Sequence, residues 1–266
     1  MTDSAGLWFR SHRPTPDARL RLVCFPHAGG APTAYWSWSR AVPADFEVLA
    51  ACYPGRQDRI GDPFAPSLHA MADDLAAALA ELSADGVPLA LFGHSMGAAV
   101  AHEVALRLEA RHGVRPLRLF VSGLPAPHRC APEEPAAEDD DAFVAELRRL
   151  GNNSLTAFDD PALRELVLPS IRADYALVAE YRPAPGAPRH RMPVVAYTGA
   201  EDTESPADLV AAWSDTTSAA FELRTFPGDH FYLQKQERPL LAHLTAHLRA
   251  DLRLRQAQRA VRAASA

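Results

Sequence analysis

Lysine is almost absent from this 266-residue chain. Lys235 is the only one, and arginine supplies every other permanent positive charge. The formal net charge is −6 at pH 7. Binding to a phosphate backbone needs clustered positive charge, so nucleic acid is not expected as the main partner.

Long apolar runs and paired cysteines are also lacking. No stretch of about 18 apolar residues occurs, so we predict no membrane-spanning helix, and the first residues have no apolar core of the kind that a secretion signal needs. Cys24, Cys52 and Cys130 are scattered and form no CxxC pair, which favours reduced thiols over a disulfide framework. We therefore expect a soluble, cytoplasmic protein that does not bind membranes.

What the chain does contain is an alternation of short apolar runs and longer helical patterns. Strands are predicted at residues 20–25, 46–52, 89–92, 117–121, 193–198 and 221–226. Helices are predicted at residues 67–82, 96–112, 206–213 and 238–254, with Ser67 and Ser205 placed as helix N-caps. This alternation predicts an α/β protein with a mostly parallel sheet flanked by helices on both faces.

One interval of about seventy residues has no clear strand. Leu163, Leu166 and Ile171 belong to a set of apolar residues spaced by three and four, as on one face of an amphipathic helix. Pro169 is expected to kink that helix or to split it in two. We predict a single domain over residues 1–266 with a helical cap, or lid, inserted at residues 126–190, and we expect the acidic run 133–141 to be a solvated linker.

The strongest chemical signal is the sequence GHSMG at residues 93–97, a G-x-S-x-G motif between a predicted strand and a predicted helix. A sharp strand-to-helix turn would raise the hydroxyl of Ser95 above the sheet, with Gly93 and Gly97 leaving room for it. The helix that starts there would direct its N–H groups at developing negative charge. Ser95 is therefore the predicted nucleophile.

A serine nucleophile needs a base, and in α/β-hydrolases the base follows the acid along the chain. His230 lies in the sequence GDHFY after the last predicted strand, where a loop can return over Ser95. His94 is expected only to pack or to form a hydrogen bond. His243 and His247 are one helical turn apart, but no HExxH pattern surrounds them, so we predict no metal site.

The acid is predicted to be Asp202, a few residues past the penultimate strand, where the chain turns above the sheet. Glu201, Glu204 and Asp208 are neighbours that compete with it. Asp229 is adjacent to the histidine and is a poor orienting partner, so we expect it to shape the loop.

The oxyanion of an acyl-transfer reaction needs two N–H donors. The first predicted donor is the backbone N–H of Met96, directly after the nucleophile. The second is the N–H of Ala28, in the sequence FPHAGG at residues 25–30, which resembles the HGGG-type loop of esterases. No phosphate-binding GxGxxG or GKS/T pattern is present.

Together these segments resemble the type II thioesterases of polyketide and nonribosomal peptide synthesis. The matching segments are LVCFPHAGG at 22–30, YPGRQDR at 53–59, LFGHSMG at 91–97, LFVSG at 119–123, TGAED at 198–202 and GDHFYL at 228–233. The resemblance extends from about residue 8 to about residue 248, and the first three motifs in this order are specific to the group. One departure is LGNNSL at 150–155, where relatives read LGGTP.

The resemblance implies an α/β-hydrolase fold and an enzyme that hydrolyses acyl thioesters from the phosphopantetheine arm of carrier proteins. It implies Ser95, Asp202 and His230 as the catalytic triad, with Met96 and Ala28 as oxyanion donors. The expected partner is an acyl or peptidyl carrier protein of a megasynthase. No cofactor or metal is expected, and a monomer is the default.

Three alternatives remain open. A carboxylesterase or lipase would have the same triad and a different pocket, a cyclising thioesterase would be cut from the end of a megasynthase, and a binding module would have an inactive site. Arg56 and Arg59 could meet an acidic carrier helix, although we expect them to be solvated surface residues.

Overall fold

A seven-stranded sheet forms the centre of the protein in a computed structural model that describes residues 4–130, 139–149 and 158–264. The strand order is β1-β3-β2-β4-β5-β6-β7, and every neighbouring pair is parallel except β1 and β3. The strands are β1 (Phe9–Ser11), β2 (Leu20–Phe25), β3 (Phe46–Ala51), β4 (Leu89–His94), β5 (Leu119–Ser122), β6 (Val194–Gly199) and β7 (Phe221–Phe226).

Helices cover both faces of this sheet, which confirms the predicted α/β class. They are α1 (Ser4–Trp8), α2 (Trp38–Ala41), α3 (Leu68–Leu82), α4 (Met96–Arg111), α5 (Asp140–Arg149), α6 (Pro161–Glu180), α7 (Ala207–Ala211), α8 (Tyr232–Lys235) and α9 (Glu237–Ala264). One apolar cluster joins the sheet to α3 and α4, and a second joins the opposite face to α9. Strands β2 and β4 are buried along almost their whole length because helices cover them on both sides.

Most helix boundaries follow the predicted pattern. Ser67 caps α3 as predicted, since its Oγ accepts the N–H of Ala70 at 3.0 Å. Helix α9 extends ten residues beyond its predicted end. Among the described residues, no helix combines the length and the apolar character needed to cross a bilayer.

Helices α5 and α6 form the helical insertion and have an apolar core of their own. Phe143, Leu147, Leu168 and Ile171 belong to this third cluster, which is separate from the two around the sheet. Of the two outcomes predicted for Pro169, a split is excluded, because α6 is a single helix of 20 residues with Pro169 inside it. Pro169 lies on the exposed side of α6, where water can satisfy the carbonyl that its missing N–H leaves unpaired.

The acidic run and the cap boundaries are only partly covered by the structure. Asp140 and Asp141 begin α5 and pair with Arg172 and Arg164 of α6, both at 2.6 Å. These two acids therefore join the cap helices. Residues 133–138 of the run and the LGNNSL segment lie outside the described residues, and the boundaries 126–190 stay a prediction.

Candidate active site

Ser95 occupies a strained turn between β4 and α4. Its φ is +54°, one of two positive values among the described non-glycine residues. A Cβ on Gly93 would lie 2.0 Å from the carbonyl oxygen of Gly97, and a Cβ on Gly97 would lie 2.0 Å from that of Phe25. Only glycine fits at either position, so the sequence GHSMG dictates the tight turn that the motif predicted.

This turn also brings the predicted donor loop next to the nucleophile. Gly97 packs against the end of β2, directly before the loop at residues 26–30. The loop closes as a turn, with the N–H of Gly30 donating to the carbonyl of His27 at 2.8 Å. Ala28 lies inside this turn, and Met96 is the first residue of α4. Both predicted oxyanion donors therefore lie at the carboxyl end of the sheet, with Ala28 after β2 and Met96 after β4.

Asp202 and His230 form a hydrogen-bonded pair across two loops. Asp202 follows β6 and His230 follows β7, and the His230 Nδ1 lies 2.9 Å from the Asp202 Oδ2. The Asp202 side chain is fully buried, and its other oxygen accepts the N–H groups of Glu204 and Ser205 at 3.0 and 3.2 Å. An imidazole that donates from Nδ1 has Nε2 free to accept a proton, as a general base requires.

The role predicted for Ser205 is wrong. Pro206, not Ser205, is the N-cap of α7, and the hydroxyl of Ser205 donates to Asp202. Burial alone would raise the pKa of Asp202, but its hydrogen bond with His230 and the charge of that imidazole, followed by the Ser205 hydrogen bond, keep the pKa below its ordinary value. The carboxylate is therefore ionised at neutral pH.

A close approach of two glycine backbones makes the hydrogen bond between Asp202 and His230 possible. A Cβ on Gly199, at the end of β6, would lie 2.3 Å from the carbonyl oxygen of Gly228 in the loop after β7. The N–H of Glu201 donates to that same carbonyl at 3.0 Å. Asp229 shapes the loop as predicted, since its Oδ1 accepts the N–H of Phe231 at 3.0 Å.

The three competing carboxylates differ from Asp202 in their exposure to solvent. Glu201, Glu204 and Asp208 are exposed, and the carboxylate of Glu204 pairs with Arg149 of α5 at 3.0 Å. The structure therefore separates Asp202 from its neighbours by burial and by its bond to His230.

Two further imidazoles lie close to His230. The His94 ring centroid lies 5.0 Å from that of His230, and its Nδ1 lies 2.9 Å from the Ser122 Oγ, which in turn lies 2.7 Å from the Tyr232 hydroxyl. This confirms the expected packing and hydrogen-bonding role of His94. Burial, reinforced by the charge of His230, lowers the pKa of His94 well below its usual value and that of His27 to about 3. Both rings are therefore neutral beside His230.

The expectation that Arg56 and Arg59 are surface residues is wrong. They are 6% and 7% exposed. Arg59 donates to Asp62 and to the carbonyl of Cys52, at 2.7 and 3.0 Å. Arg56 pairs with Asp174 of α6 at 2.7 Å. Sequence reasoning missed this pair because its partners are 118 positions apart.

Two cavities lie at different ends of the sheet. One of about 730 Å³ lies at the amino ends of β4, β5 and β6, next to α9. It is far from Ser95 along each strand, and we assign it no part in the chemistry. A smaller cavity of about 260 Å³ is lined by His27, Tyr35, Trp38 and Phe231, beside the candidate site. This second cavity therefore borders the loop at residues 26–30 and the residue that follows His230.

The protein has a mostly parallel sheet, a serine at a strained strand-to-helix turn and a buried Asp–His pair. These features define an α/β-hydrolase of the serine-dependent class. The chain belongs to the thioesterase domain family, whose model matches residues 20–252. The resemblance to type II thioesterases that the motifs indicated is thereby confirmed, and the protein is a thioesterase.

Individual relatives agree with this assignment. The chain is 42% identical to "Thioesterase PikA5" of Streptomyces venezuelae, over 92% of this chain and 86% of that protein. It superposes on the type II thioesterase BorB from the borrelidin biosynthetic cluster with a TM-score of 0.80 at 39% identity, covering 91% and 98% of the two chains. YbtT, a type II thioesterase from the yersiniabactin pathway, gives a TM-score of 0.82 at 30% identity, covering 92% and 99%.

Proposed function

We propose that this protein hydrolyses acyl groups held as thioesters on the phosphopantetheine arm of acyl or peptidyl carrier proteins, with Ser95, His230 and Asp202 as its triad. The observation that carries the proposal is the Asp202–His230 hydrogen bond at 2.9 Å beside the strained turn at Ser95. The likeness to type II thioesterases of polyketide and nonribosomal peptide pathways supports the choice of substrate.

In the acylation step, the Ser95 hydroxyl attacks the thioester carbonyl while Nε2 of His230 takes its proton. Asp202 holds the Nδ1–H and offsets the positive charge that forms on the ring. The neutral His27 and His94 add no competing charge beside that imidazolium. The N–H groups of Met96 and Ala28 stabilise the tetrahedral oxyanion. Its collapse breaks the C–S bond, and the imidazolium returns the proton to the pantetheine sulfur.

In the deacylation step, a water molecule takes the place of the thiol. His230 accepts a proton from the water as it attacks the acyl-serine ester, and the same two N–H groups hold the second oxyanion. Collapse releases the carboxylic acid and returns the proton to Ser95. His230 accepts and returns the proton in each step, and the proposed reaction uses no cofactor.

The surroundings of the site fit a protein-bound substrate. A phosphopantetheine arm is long and narrow, and the cavity of about 260 Å³ is lined by His27 and Phe231, which belong to the loops that carry Ala28 and His230. The cap, with Leu163 and Leu166 exposed on α6, offers apolar surface for an acyl chain. We propose that this protein is a monomeric, cytoplasmic enzyme to which a carrier protein binds.

Intact-mass analysis of an acylated carrier protein tests this function. We expect the enzyme to return a carrier loaded with a short acyl group to its free-thiol mass. An oxygen ester of the same acyl group should be cleaved more slowly, because a thiolate is the better leaving group. If the acyl carrier survives while the oxygen ester is cleaved, the protein is a carboxylesterase. A macrocyclic product would indicate a cyclising thioesterase instead.

A further inference from the structure

The helical cap and the donor loop meet at one buried ion pair. Arg56, in the loop after β3, donates from Nη2 to the Asp174 Oδ1 on α6 at 2.7 Å. The two residues are 6% and 3% exposed. A pair buried to this degree is costly to break, because removing either partner leaves the other charge alone and out of reach of water.

Each partner also bonds the turn that holds the predicted oxyanion donor. Arg56 donates from Nη1 to the carbonyl of Gly30 at 2.7 Å. The N–H of Gly29 donates to the second oxygen of Asp174, also at 2.7 Å. Ile171, one helical turn before Asp174, packs against the same turn, since a Cβ on Gly29 would lie 2.7 Å from its Cγ1. The turn is thus held from both sides by α6 and by Arg56.

The Gly29 N–H is the important group, because it belongs to the middle peptide of the turn. Gly29 has a φ of +76° at the third position of the turn, where that conformation requires glycine. Rotating the middle peptide would bring the Ala28 carbonyl towards the Asp174 carboxylate, and two acceptors would then face each other. Asp174 therefore holds the turn around Ala28 in a single orientation.

We propose that Arg56 and Asp174 are positioning residues for catalysis: their ion pair fixes the turn that carries the Ala28 N–H and makes this donor depend on α6 being in place. The inference rests on the proposed function, since it concerns the oxyanion donor of the same site. Neither side chain touches the reacting atoms.

The test compares Arg56→Met, Asp174→Leu and the double variant Arg56→Met/Asp174→Leu. Each single variant leaves a lone buried charge and should melt at a lower temperature, whereas the double variant leaves none and should recover much of that loss. The turnover rate of the double variant, in contrast, should not recover. We expect kcat for a small acyl thioester to fall about 10²-fold in all three, with KM nearly unchanged, because the donor acts in the transition state.

Arg164→Met is the matched control, since Arg164 also joins the cap helices but pairs with Asp141 at the exposed surface. It should retain the rate of the wild-type enzyme. Asp174→Asn, which keeps an oxygen that can accept the Gly29 N–H, should keep more activity than Asp174→Leu. A double variant that is folded and turns over within about twofold of the wild type would overturn the proposal.

A second readout separates this inference from the proposed function. A fluorophosphonate reacts with Ser95 through an oxyanion held by the same donors, so its labelling rate should fall in parallel with kcat. If the wild-type protein is labelled but cleaves no thioester, the proposed function fails and labelling still tests the ion pair. If the wild-type protein cleaves thioesters and the variants are labelled at the wild-type rate, only the ion-pair proposal fails.

A different cluster, at the far edge of the sheet, carries a second inference. Glu222 of β7 lies 2.9 Å from the His243 Nε2 and 3.1 Å from the His247 Nε2, with both histidines on α9. One ligand atom from each residue lies within 4.8 Å of the others. The His243 Nδ1 lies 2.9 Å from the buried hydroxyl of Tyr197.

The geometry points to a site for a divalent transition metal such as Zn²⁺, bound by Glu222, His243 and His247 with one position open. Two histidines one helical turn apart and a carboxylate are a common set of zinc ligands. The Tyr197 hydroxyl would hold the other nitrogen of His243, as outer partners of metal-bound histidines do. Because a hydroxyl can accept as well as donate, it suits the tautomer that leaves Nε2 for the metal. Sequence reasoning rejected this site because the third ligand lies on a strand rather than on the helix.

The test is calorimetric titration of the EDTA-treated protein with ZnCl₂. We expect one equivalent to bind, with affinity at least about tenfold lower in His243→Gln and in His247→Gln, and a zinc-dependent rise in melting temperature that both variants lose. His112→Gln is the control, because His112 is an exposed histidine directly after α4, and this variant should bind zinc as the wild type does. Equal zinc affinity in the wild type and in the double variant His243→Gln/His247→Gln would overturn the proposal.

Discussion

Replacing Ser95 with alanine should lower kcat for thioester hydrolysis by about 10⁶-fold while leaving the fold intact. The variant removes the attacking oxygen but keeps the donors and the Asp202–His230 pair, so a small residual rate should remain above that in water. The measurement is single-turnover release of an acyl group from a carrier protein, followed by intact mass.

The control for Ser95→Ala is labelling with a fluorophosphonate. The wild-type protein should gain one adduct at Ser95, and the variant should gain none. Circular dichroism should show equal helix content in both proteins. A variant that retained most of the turnover would contradict the assignment of the nucleophile and would point to another hydroxyl or to direct attack by water.

Replacing Asp202 with asparagine should lower kcat by about 10⁴-fold. An amide that donates to Nδ1 would make that nitrogen an acceptor and would place the proton on Nε2, where it blocks the transfer from Ser95. The buried amide would also lose the charge that stabilises the imidazolium. The measurement is the kcat of a soluble acyl thioester between pH 6 and 9.

Matched substitutions of the neighbouring acids complete this prediction. Glu201→Gln, Glu204→Gln and Asp208→Asn change the same chemical groups at exposed positions, and each should retain the turnover of the wild type. If one of these variants lost activity while Asp202→Asn kept it, the acid would have to be reassigned.

Local patterns were sufficient to predict six of the seven strands of the sheet. The predicted strands at 20–25 and 221–226 match β2 and β7 at both ends. Strand β2 gives a strong signal because it is a buried apolar run, whereas β7 is only partly buried at the edge of the sheet. Strand β1 was missed because it has only three residues and forms by antiparallel pairing with β3. That pairing depends on residues about forty positions away, which no local window contains.

Around the candidate site, too, the features set by a local motif were predictable and those set by distant residues were not. The turn at Ser95 was predictable because glycine, serine and glycine stand within five positions. The burial of Arg56 was not, since it depends on Asp174 in a helix formed much later in the chain. The role of Ser205 was predicted wrongly because a serine before a helix usually caps it. Here the Ser205 hydroxyl instead donates a hydrogen bond to the carboxylate of Asp202.

Helix α6 works mechanically as a lever with its fulcrum at the carboxyl end. Tyr181, directly after the helix, donates its hydroxyl to Glu103 of α4 at 2.8 Å, and Leu177 belongs to the main core rather than to that of the cap. With a rise of about 1.5 Å per residue, the helix is about 30 Å long. A rotation of about 10° around the anchored end would move the tip at Leu163 by about 5 Å but Asp174 by only about 2 Å. The displacement is therefore unequal, since the tip moves about two and a half times as far as Asp174. Asp174 is held by its hydrogen bonds to Arg56 and to the Gly29 N–H, so the ion pair limits how far the tip can open.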